Sequence, residues 1–204
     1  MKVWKLPLGS PTSKGKPVIN LLPLEQDETI ATILPLPEDE NTWDELQVMF
    51  ATAAGNVRRN KLNDFSNVKA NGKIAIKLSD GDRLVGVHTC TEDNDIILAA
   101  RGGKCIRFPA TAVRLFVGRN SSGVRGMKLV DGDRVISMSV LNGSDATTEE
   151  RDAYLRAAAW KSEPGDATLS ADQMQAYEDN EEFILSVTEN GFGKRSSSYE
   201  YRQT

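Results

Sequence analysis

Two stretches of this sequence repeat each other, and they decide the fold. They read VMFATAAGNVRRNKLNDF and VKANGKIAIKLSDGDRLVGV (48–65, 68–87), then IILAARGGKCIRFPATAV and RNSSGVRGMKLVDGDRVISM (96–113, 119–138). Gly55 aligns with Gly103, 48 residues later, and Gly72 aligns with Gly123, 51 residues later. A period near 50 in a strand-rich sequence is typical of propeller-like folds, in which each unit forms one small sheet.

The repeat continues on both sides of this pair. At the N-terminus SKGKPVINL (13–21) matches the second half of a unit, so that Gly15 aligns with Gly72. At the C-terminus FILSVTENGFGKR (183–195) matches the first half, so that Gly191 aligns with Gly55. We therefore expect two complete units flanked by two half units, with the chain beginning inside one unit and ending inside another.

The residue pattern within each unit favours strands. Ile74, Ile76 and Leu78 alternate with Lys and Ala, which predicts a strand with one buried face. An Asp-Gly pair follows this stretch in both units, and Asp-Gly is a strong signal for a tight turn. The aligned glycines predict turns with positive φ, because glycine adopts that conformation without steric cost.

Residues 144–182 interrupt the repeat. They hold eleven acidic and three basic residues, a net charge of −8, while the remaining residues carry +4. Thr147 with Glu150, and Ser170 with Gln173, have the spacing of capping boxes, each of which predicts the start of a helix. Pro164-Gly165 separates the two helices. We expect a helical hairpin on the surface, and a flexible acidic loop is the alternative.

With the repeats aligned, nearly the whole chain outside this insertion resembles the C-terminal domain of DNA gyrase A, a family within the type IIA topoisomerases. The resemblance rests on five stretches in the family's order: MKVWKLP (1–7), SKGKPVINLLPLEQDE (13–28), NGKIAIKLSDGD (71–82), GRNSSGVRGMKLVDGD (118–133) and TENGFGKR (188–195). The chain resembles about half of the family's repeats, from inside the first blade to inside the fourth. The family's glutamine-arginine-arginine-glycine-rich heptapeptide, which lies upstream of the matched part, is absent here.

The resemblance implies an all-β fold, a partial β-pinwheel of about three to three and a half four-stranded blades over residues 1–204, with the insertion at 144–182. It implies a module that binds and wraps double-stranded DNA without sequence preference and supports ATP-dependent negative supercoiling by the whole enzyme. The implied partners are the remainder of gyrase A and the gyrase B protein, in an A2B2 heterotetramer. Two alternatives stay open: the equivalent domain of topoisomerase IV, for which the missing heptapeptide leaves room, and a propeller that binds only proteins.

A DNA-wrapping surface needs Lys and Arg on one rim, because phosphate contacts and DNA shape carry the binding. Basic residues recur near the aligned glycines, and their equivalent positions in successive blades should form an arc. The predicted DNA contacts are Lys14, Lys16, Arg58, Arg59, Lys69, Lys73, Arg107, Arg114, Arg119, Arg125, Lys194 and Arg195. The opposing interpretation is that these are ordinary solvated residues of edge strands.

The sequence offers no catalytic constellation, metal site or cofactor motif. His88 is the one histidine, and no nucleophile motif accompanies it. The Asp-Gly-Asp turns lack the further oxygen ligands of a calcium loop. No apolar run is long enough to cross a bilayer and no signal sequence is present, so we expect a cytoplasmic protein without a membrane partner. The resemblance places cleavage and ATP hydrolysis in other domains.

Overall fold

The computed structural model describes residues 3–22, 24, 28–69, 72–158, 160 and 168–204. Within this part of the chain nine strands form three antiparallel sheets, and two α-helices lie in sequence between the second and third sheets. The strands are β1 (Gln47–Thr52), β2 (Asn56–Lys61), β3 (Leu84–Cys90), β4 (Asn94–Ala100), β5 (Cys105–Pro109), β6 (Val124–Arg125), β7 (Val135–Asn142), β8 (Phe183–Val187) and β9 (Gly193–Ser197). The helices are α1 (Thr148–Ala157) and α2 (Ala171–Asp179). Short 3-10 turns cover Val3–Lys5, Val18–Asn20, Glu40–Asp44, Leu62–Phe65, Ala110–Ala112 and Ser198–Glu200.

We name the repeats by their residues: the N-terminal half unit (13–36), the first unit (47–90), the second unit (94–142) and the C-terminal half unit (183–204). The first sheet has the strand order β3-β1-β2-β6. Because β6 belongs to the second unit but pairs with β2, the second unit contributes a strand to the sheet of the first. The second sheet has the order β5-β4-β7, and the C-terminal half unit is the two-stranded sheet β8-β9.

The main core lies between the first and second sheets. Met49 and Val57 of the first sheet are fully buried with Ile96, Leu98 and Val135 of the second. These side chains point to the shared face because alternate residues of a strand lie on the same side of a sheet. The all-β, propeller-like fold predicted from the repeat is confirmed.

Besides sharing this core, the two sheets are in contact along one edge. β3 and β7 each end their sheet, and they pack against each other, with Gly86 directly against Met138. A Cβ atom on Gly86 would lie 2.8 Å from Cβ of Met138, so this contact needs glycine. We call the side of β3 and β7 the inner edge. The opposite side, formed by β2 with β6, by β5 and by the segments that follow β2 and β5, is the outer edge.

Glycines with positive φ also mark the strand exchange. Gly123 has a φ of +93°, and a Cβ atom there would lie 2.1 Å from the carbonyl oxygen of Val57. Gly55 has a φ of +85°, and its carbonyl accepts hydrogen bonds from the backbone N–H groups of Gly126 and Met127. The predicted positive φ is thus present at both positions, where the second unit crosses onto the first.

The strand predicted over 74–78 is absent from the described residues of the first unit. Ile74 is 67% exposed, and residues 73–79 form no sheet pairing. In the second unit the equivalent segment forms only β6, and its partner is β2 of the preceding unit. No strand is described before β1, so the segment at 74–78 has no such partner. The prediction of a strand at 74–78 is therefore wrong for this structure, because alternation does not supply the neighbouring strand that pairing needs.

Both predicted capping boxes are confirmed, since Thr147 and Glu150 cap α1 reciprocally and Ser170 and Gln173 cap α2. The predicted separator Pro164-Gly165 lies outside the described residues. Three tyrosine rings join the helices to the C-terminal half unit: Tyr154 lies 5.7 Å from Tyr177 and 5.2 Å from Tyr199, between ring centroids. No helix in the described part of the chain is long and apolar enough to cross a membrane.

Candidate nucleic-acid interface

Seven of the twelve predicted DNA contacts are exposed to solvent. They are Lys14, Lys16, Lys69, Arg114, Arg125, Lys194 and Arg195. Arg125 is in β6, the outermost strand of the first sheet. Arg114 follows β5 in a segment that docks along β2, where Leu115 forms a parallel bridge with Arg59. The side chains of Arg114 and Arg125 therefore lie on the outer edge.

Local packing orients two of the exposed guanidinium groups. Arg114 stacks over the ring of Phe116 at 4.0 Å, and Arg195 stacks over the ring of Phe183 at 4.0 Å, from the guanidinium carbon to the ring centroid. A stacked guanidinium keeps its N–H edge free for an anion. Lys194 differs, because its ammonium forms an ion pair with Glu200 at 3.0 Å. The hydrogen bond and the charge of Glu200 raise the pKa of Lys194, which keeps the group cationic.

Two further predicted contacts are half-buried and hold loops in place. The Lys73 ammonium donates to the carbonyl of Ser66 at 2.8 Å. Arg119 donates to the carbonyl of Ile74 at 2.9 Å and to that of Asp64 at 3.3 Å. Lys73 holds together two parts of the segment that follows β2, and Arg119 ties that segment to the one that follows β5, so part of their hydrogen-bonding capacity is used within the protein.

The remaining three predicted contacts, Arg58, Arg59 and Arg107, lie in the interior, with relative exposures of 0%, 5% and 3%. This corrects the prediction for these residues, because a buried guanidinium that binds protein carbonyls is not available to a phosphate. The sequence NVRRNK resembles a polar edge strand, but β2 lies between β1 and β6. A strand with a neighbour on each side and sheets packed around it buries long side chains as well as short ones.

Arg107 is the centre of a buried network between two units. Its Nε donates to Asp95 at 2.7 Å, and its terminal nitrogens donate to the carbonyls of Ser198 at 2.7 Å and Asn142 at 3.2 Å. Gln203 donates to both oxygens of the same carboxylate. The guanidinium of the second unit therefore binds the backbone of the C-terminal half unit.

Arg59 has the same role one unit earlier. It lies 48 residues before Arg107, and its partner Gln47 lies 48 residues before Asp95. Its Nε donates to the carbonyl of Val113 at 2.7 Å and a terminal nitrogen donates to Gln47 at 2.8 Å. At this repeated position each complete unit thus uses a buried arginine to hold the unit that follows. We call the two contacts the arginine joints.

Arg58 lies beside the first joint. One terminal nitrogen donates to the carbonyl of Ser121 at 2.7 Å, and the guanidinium lies 5.2 Å from the centroid of Phe116. Burial lowers the pKa of Arg58, the neighbouring charge of Arg119 lowers it further, and Asp64 raises it. Nε and the second terminal nitrogen have no hydrogen-bond partner within the described residues. This residue fills the core between β2 and the crossing segment.

Another set of repeated basic residues was missed by the sequence prediction. Lys77 and Lys128, and likewise Arg83 and Arg134, are exposed and 51 residues apart, the same offset as Gly72 and Gly123. Applying that offset systematically would have found them. Arg83 and Arg134 directly precede β3 and β7, so they lie at the ends of the inner-edge strands.

The sequence profile of the family described as "DNA gyrase C-terminal domain, beta-propeller" matches residues 1–37, 47–91, 94–142 and 182–204. These ranges cover most of the chain and coincide with the repeat units. This chain belongs to the DNA gyrase C-terminal domain family. The gap in the match at 143–181 coincides with the acidic insertion of α1 and α2.

Curated relatives agree with this membership. The DNA gyrase A protein of Rickettsia bellii is 50% identical over 100% of this chain and 24% of its own length. The gyrase A protein of Granulibacter bethesdensis is 51% identical over 98% of this chain, and that of Escherichia coli is 36% identical over 98%. The chain spans about a quarter of the length of the first two. Such identities favour the gyrase family over the topoisomerase IV alternative.

Solved structures confirm the fold. The C-terminal domain of DNA topoisomerase IV superposes with a TM-score of 0.67 at 21% identity. The superposition covers 93% of this chain and 47% of the topoisomerase IV chain. The DNA gyrase A C-terminal domain superposes with a TM-score of 0.64 at 23% identity, and covers 94% of this chain and 50% of its own. This member of the gyrase C-terminal domain family therefore matches about half of each superposed chain.

Proposed function

We propose that this chain binds duplex DNA along its outer edge, without sequence preference, and bends it. The observation that carries the proposal is that both complete units place exposed Lys or Arg on that edge. Lys69 follows β2 in the first unit, Arg114 follows β5 in the second, and Arg125 crosses from the second unit onto the first. Membership of the gyrase family supports the same function.

The geometry favours a bent DNA over a straight one. The first two sheets pack against each other through their shared core as well as along the inner edge. In a propeller-like fold successive units are related by rotation, so their outer edges would follow a convex arc. Bending a site of 20–30 base pairs by 40–90° costs on the order of 1–6 kcal/mol, and added phosphate contacts must offset that cost. A row of cations along a convex edge provides contacts only to a DNA that follows the curve.

The contacts are suited to phosphates and not to bases. The exposed groups are Lys and Arg side chains on strands and irregular segments, and neither α-helix carries a predicted contact. Phosphate contacts position a protein on DNA but carry no sequence information. The binding free energy should therefore depend on salt and hardly on base sequence.

As part of a larger enzyme, this module would hold the DNA segment that gyrase transports during ATP-dependent negative supercoiling. We propose that it acts with the remainder of gyrase A and with the gyrase B protein, as an A2B2 assembly in the bacterial cytoplasm. Cleavage and ATP hydrolysis would lie in those other parts, and the module would contribute binding and bending.

The test is a salt titration of binding between the 204-residue chain and duplexes of unrelated sequence, with end-labelled DNA reporting the bend by energy transfer. If each of the seven exposed residues neutralises one phosphate, log affinity falls against log salt concentration with a slope of up to about −6. Different duplexes should give the same affinity and slope, and the DNA ends should approach each other on binding. A slope near zero, or no binding at low salt, would contradict the proposal and favour a propeller that binds only proteins.

A further inference from the structure

The acidic insertion packs against the part of the C-terminal half unit that corresponds to the outer edge. The second strand of each unit is followed by a short 3-10 turn, at Leu62–Phe65, Ala110–Ala112 and Ser198–Glu200. Each turn begins seven residues after an aligned glycine, so the three turns are equivalent. The first two turns belong to the outer edge, and α1 of the insertion contacts the third.

Tyr199 shows that the insertion covers a surface that the complete units leave in solvent. Its equivalents in those units, Asn63 and Thr111, are exposed, whereas Tyr199 is 2% exposed. The ring of Tyr199 lies 5.2 Å from that of Tyr154 in α1 and 5.8 Å from that of Tyr177 in α2, between ring centroids. Aromatic pairs at such distances stabilise a contact beyond the area that they bury. Both helices are therefore held against this turn.

The insertion also places a carboxylate beside a repeated basic position. Arg202 lies eleven residues after Gly191, as Arg114 lies eleven residues after Gly103. Arg114 is one of the exposed outer-edge residues. The guanidinium of Arg202 lies 3.9 Å from a carboxylate oxygen of Asp152 in α1. The cation that corresponds to a proposed DNA contact therefore faces an acidic group of the insertion.

The summed charge of the insertion matters more here than this single ion pair. The side chains of Arg202 and Asp152 are 69% and 43% exposed, and an exposed pair at 3.9 Å is weak. Residues 144–182, however, carry a net charge of −8. The field of such a group of like charges acts over about 8 Å at physiological ionic strength. A phosphate that bound Arg202 would come within about that distance of Asp152 and would be repelled.

We propose that the acidic insertion shields this part of the C-terminal half unit from DNA, so that the DNA-binding surface of the complete units ends there. The inference rests on the proposed function, because a shield has an effect only in a chain that binds DNA along its outer edge. The tyrosine contacts hold the helices over the turn that contains Tyr199. The carboxylates of the insertion then repel the phosphates that would otherwise reach Arg202.

The two helices separate the part that anchors the insertion from the part that carries its charge. Ala153, Tyr154 and Ala158 are buried against the C-terminal half unit and α2. Four acidic side chains of the helices are exposed to solvent: Glu149, Asp172, Glu178 and Asp179. A role in stability alone would need only the buried side chains. Neutralising the exposed carboxylates therefore tests the shield without removing the anchor.

The test is a salt titration of duplex binding by three forms of the 204-residue chain. The shield variant, Glu149→Gln/Asp152→Asn, removes two charges on α1 and leaves the Thr147–Glu150 capping box intact. The matched control, Asp80→Asn/Asp131→Asn, removes two exposed charges from the Asp-Gly turns. The shield variant should bind DNA more tightly than the control, with a salt slope steeper by about 0.9, because Arg202 then neutralises one more phosphate. The control should keep the slope of the wild type.

Arg202→Ala separates a local shield from a general change in net charge. In the wild type this substitution should leave the salt slope unchanged, because the insertion keeps phosphates away from Arg202. In the shield variant it should remove the added 0.9 of slope. A shield variant that binds like the control, or a loss of slope from Arg202→Ala already in the wild type, would overturn the shield while DNA binding by the wild type upholds the proposed function. A wild type that does not bind DNA at low salt would contradict the proposed function and this inference with it.

Discussion

The buried arginines of the joints and the exposed basic residues of the outer edge come from the same repeat, yet they perform different tasks. Arg59 and Arg107 lie in second strands and donate to carbonyls of the following unit. Arg114 and Arg125, in segments that follow or cross those strands, remain in solvent. The difference shows that recurrence identifies an important position but does not indicate its exposure. Burial separates a residue that holds units together from one available to DNA.

The largest loss of stability should come from breaking the arginine joint at Arg107. Arg107→Ala would leave Asp95, which is 1% exposed, as a buried charge without its partner. Removing one member of a buried ion pair typically costs about 3–5 kcal/mol of unfolding free energy. Urea unfolding followed by circular dichroism measures it. The control is Arg202→Ala, whose exposed pair with Asp152 spans 3.9 Å and should contribute at most about 1 kcal/mol. Equal losses for the two variants would contradict the structural role of the joint.

A smaller effect should follow from changing the glycine at the strand exchange. Gly123→Ala meets both a positive φ and the carbonyl oxygen of Val57, whereas Gly72→Ala meets a φ of +81° with no atom within 4 Å. The left-handed conformation alone costs roughly 1–2 kcal/mol. Gly72→Ala should lose that amount and Gly123→Ala clearly more, as measured by thermal unfolding of both variants. Similar losses would mean that the contact between β6 and β2 adds no constraint.

The smallest expected effect is on the stability of the helices in the acidic insertion. Their capping boxes differ because only the box of α1 contains a titratable group, Glu150. The backbone N–H of Thr147 donates to Glu150, and this bond, followed by that of the Thr147 hydroxyl, lowers the pKa of Glu150. A carboxyl with a lowered pKa stabilises the folded state above its ordinary pKa, and loses that contribution as pH falls through the lowered value. Gln173 caps α2 without a charge.

Amide chemical shifts should therefore show α1 loosening in acid before α2 does. Glu150→Gln should remove the difference, because glutamine accepts the same hydrogen bonds without titrating in this range. Parallel loosening of the two helices in the wild type, or an unchanged difference in the variant, would contradict this explanation.

Much of the fold was predictable from local chemistry. The turns at the aligned glycines and the two capping boxes depend on residues close in sequence, and each predicted feature is present. The strand at 74–78 was not predictable in the same way, because its equivalent β6 pairs with the second strand of another unit. A pattern of alternating residues indicates a preference for extended backbone but not whether a partner strand is available.

The candidate site was only partly predictable. Counting basic residues near aligned glycines found the outer-edge residues Arg114 and Arg125 together with the buried Arg58, Arg59 and Arg107. In sequence these look alike, since Arg is usually exposed. Their burial depends on β2 being central in its sheet and on backbone carbonyls that the following unit supplies. One signal was present in the sequence: the polar partners of Arg59 and Arg107 recur at the same spacing.

The most direct test compares two pairs of arginines that are matched in charge and in exposure to solvent. Arg114→Ala/Arg125→Ala removes two outer-edge cations, and Arg83→Ala/Arg134→Ala removes two inner-edge cations. All four are surface residues, so each substitution should change the free energy of unfolding by no more than about 0.5 kcal/mol, apart from about 0.5–1 kcal/mol for the stacking of Arg114 on Phe116. In a salt titration of DNA binding, the outer-edge variant should bind more weakly and lose up to about two units of slope. The inner-edge variant should match the wild type. The opposite order, or equal losses from both pairs, would contradict the assignment of the outer edge as the surface that binds DNA.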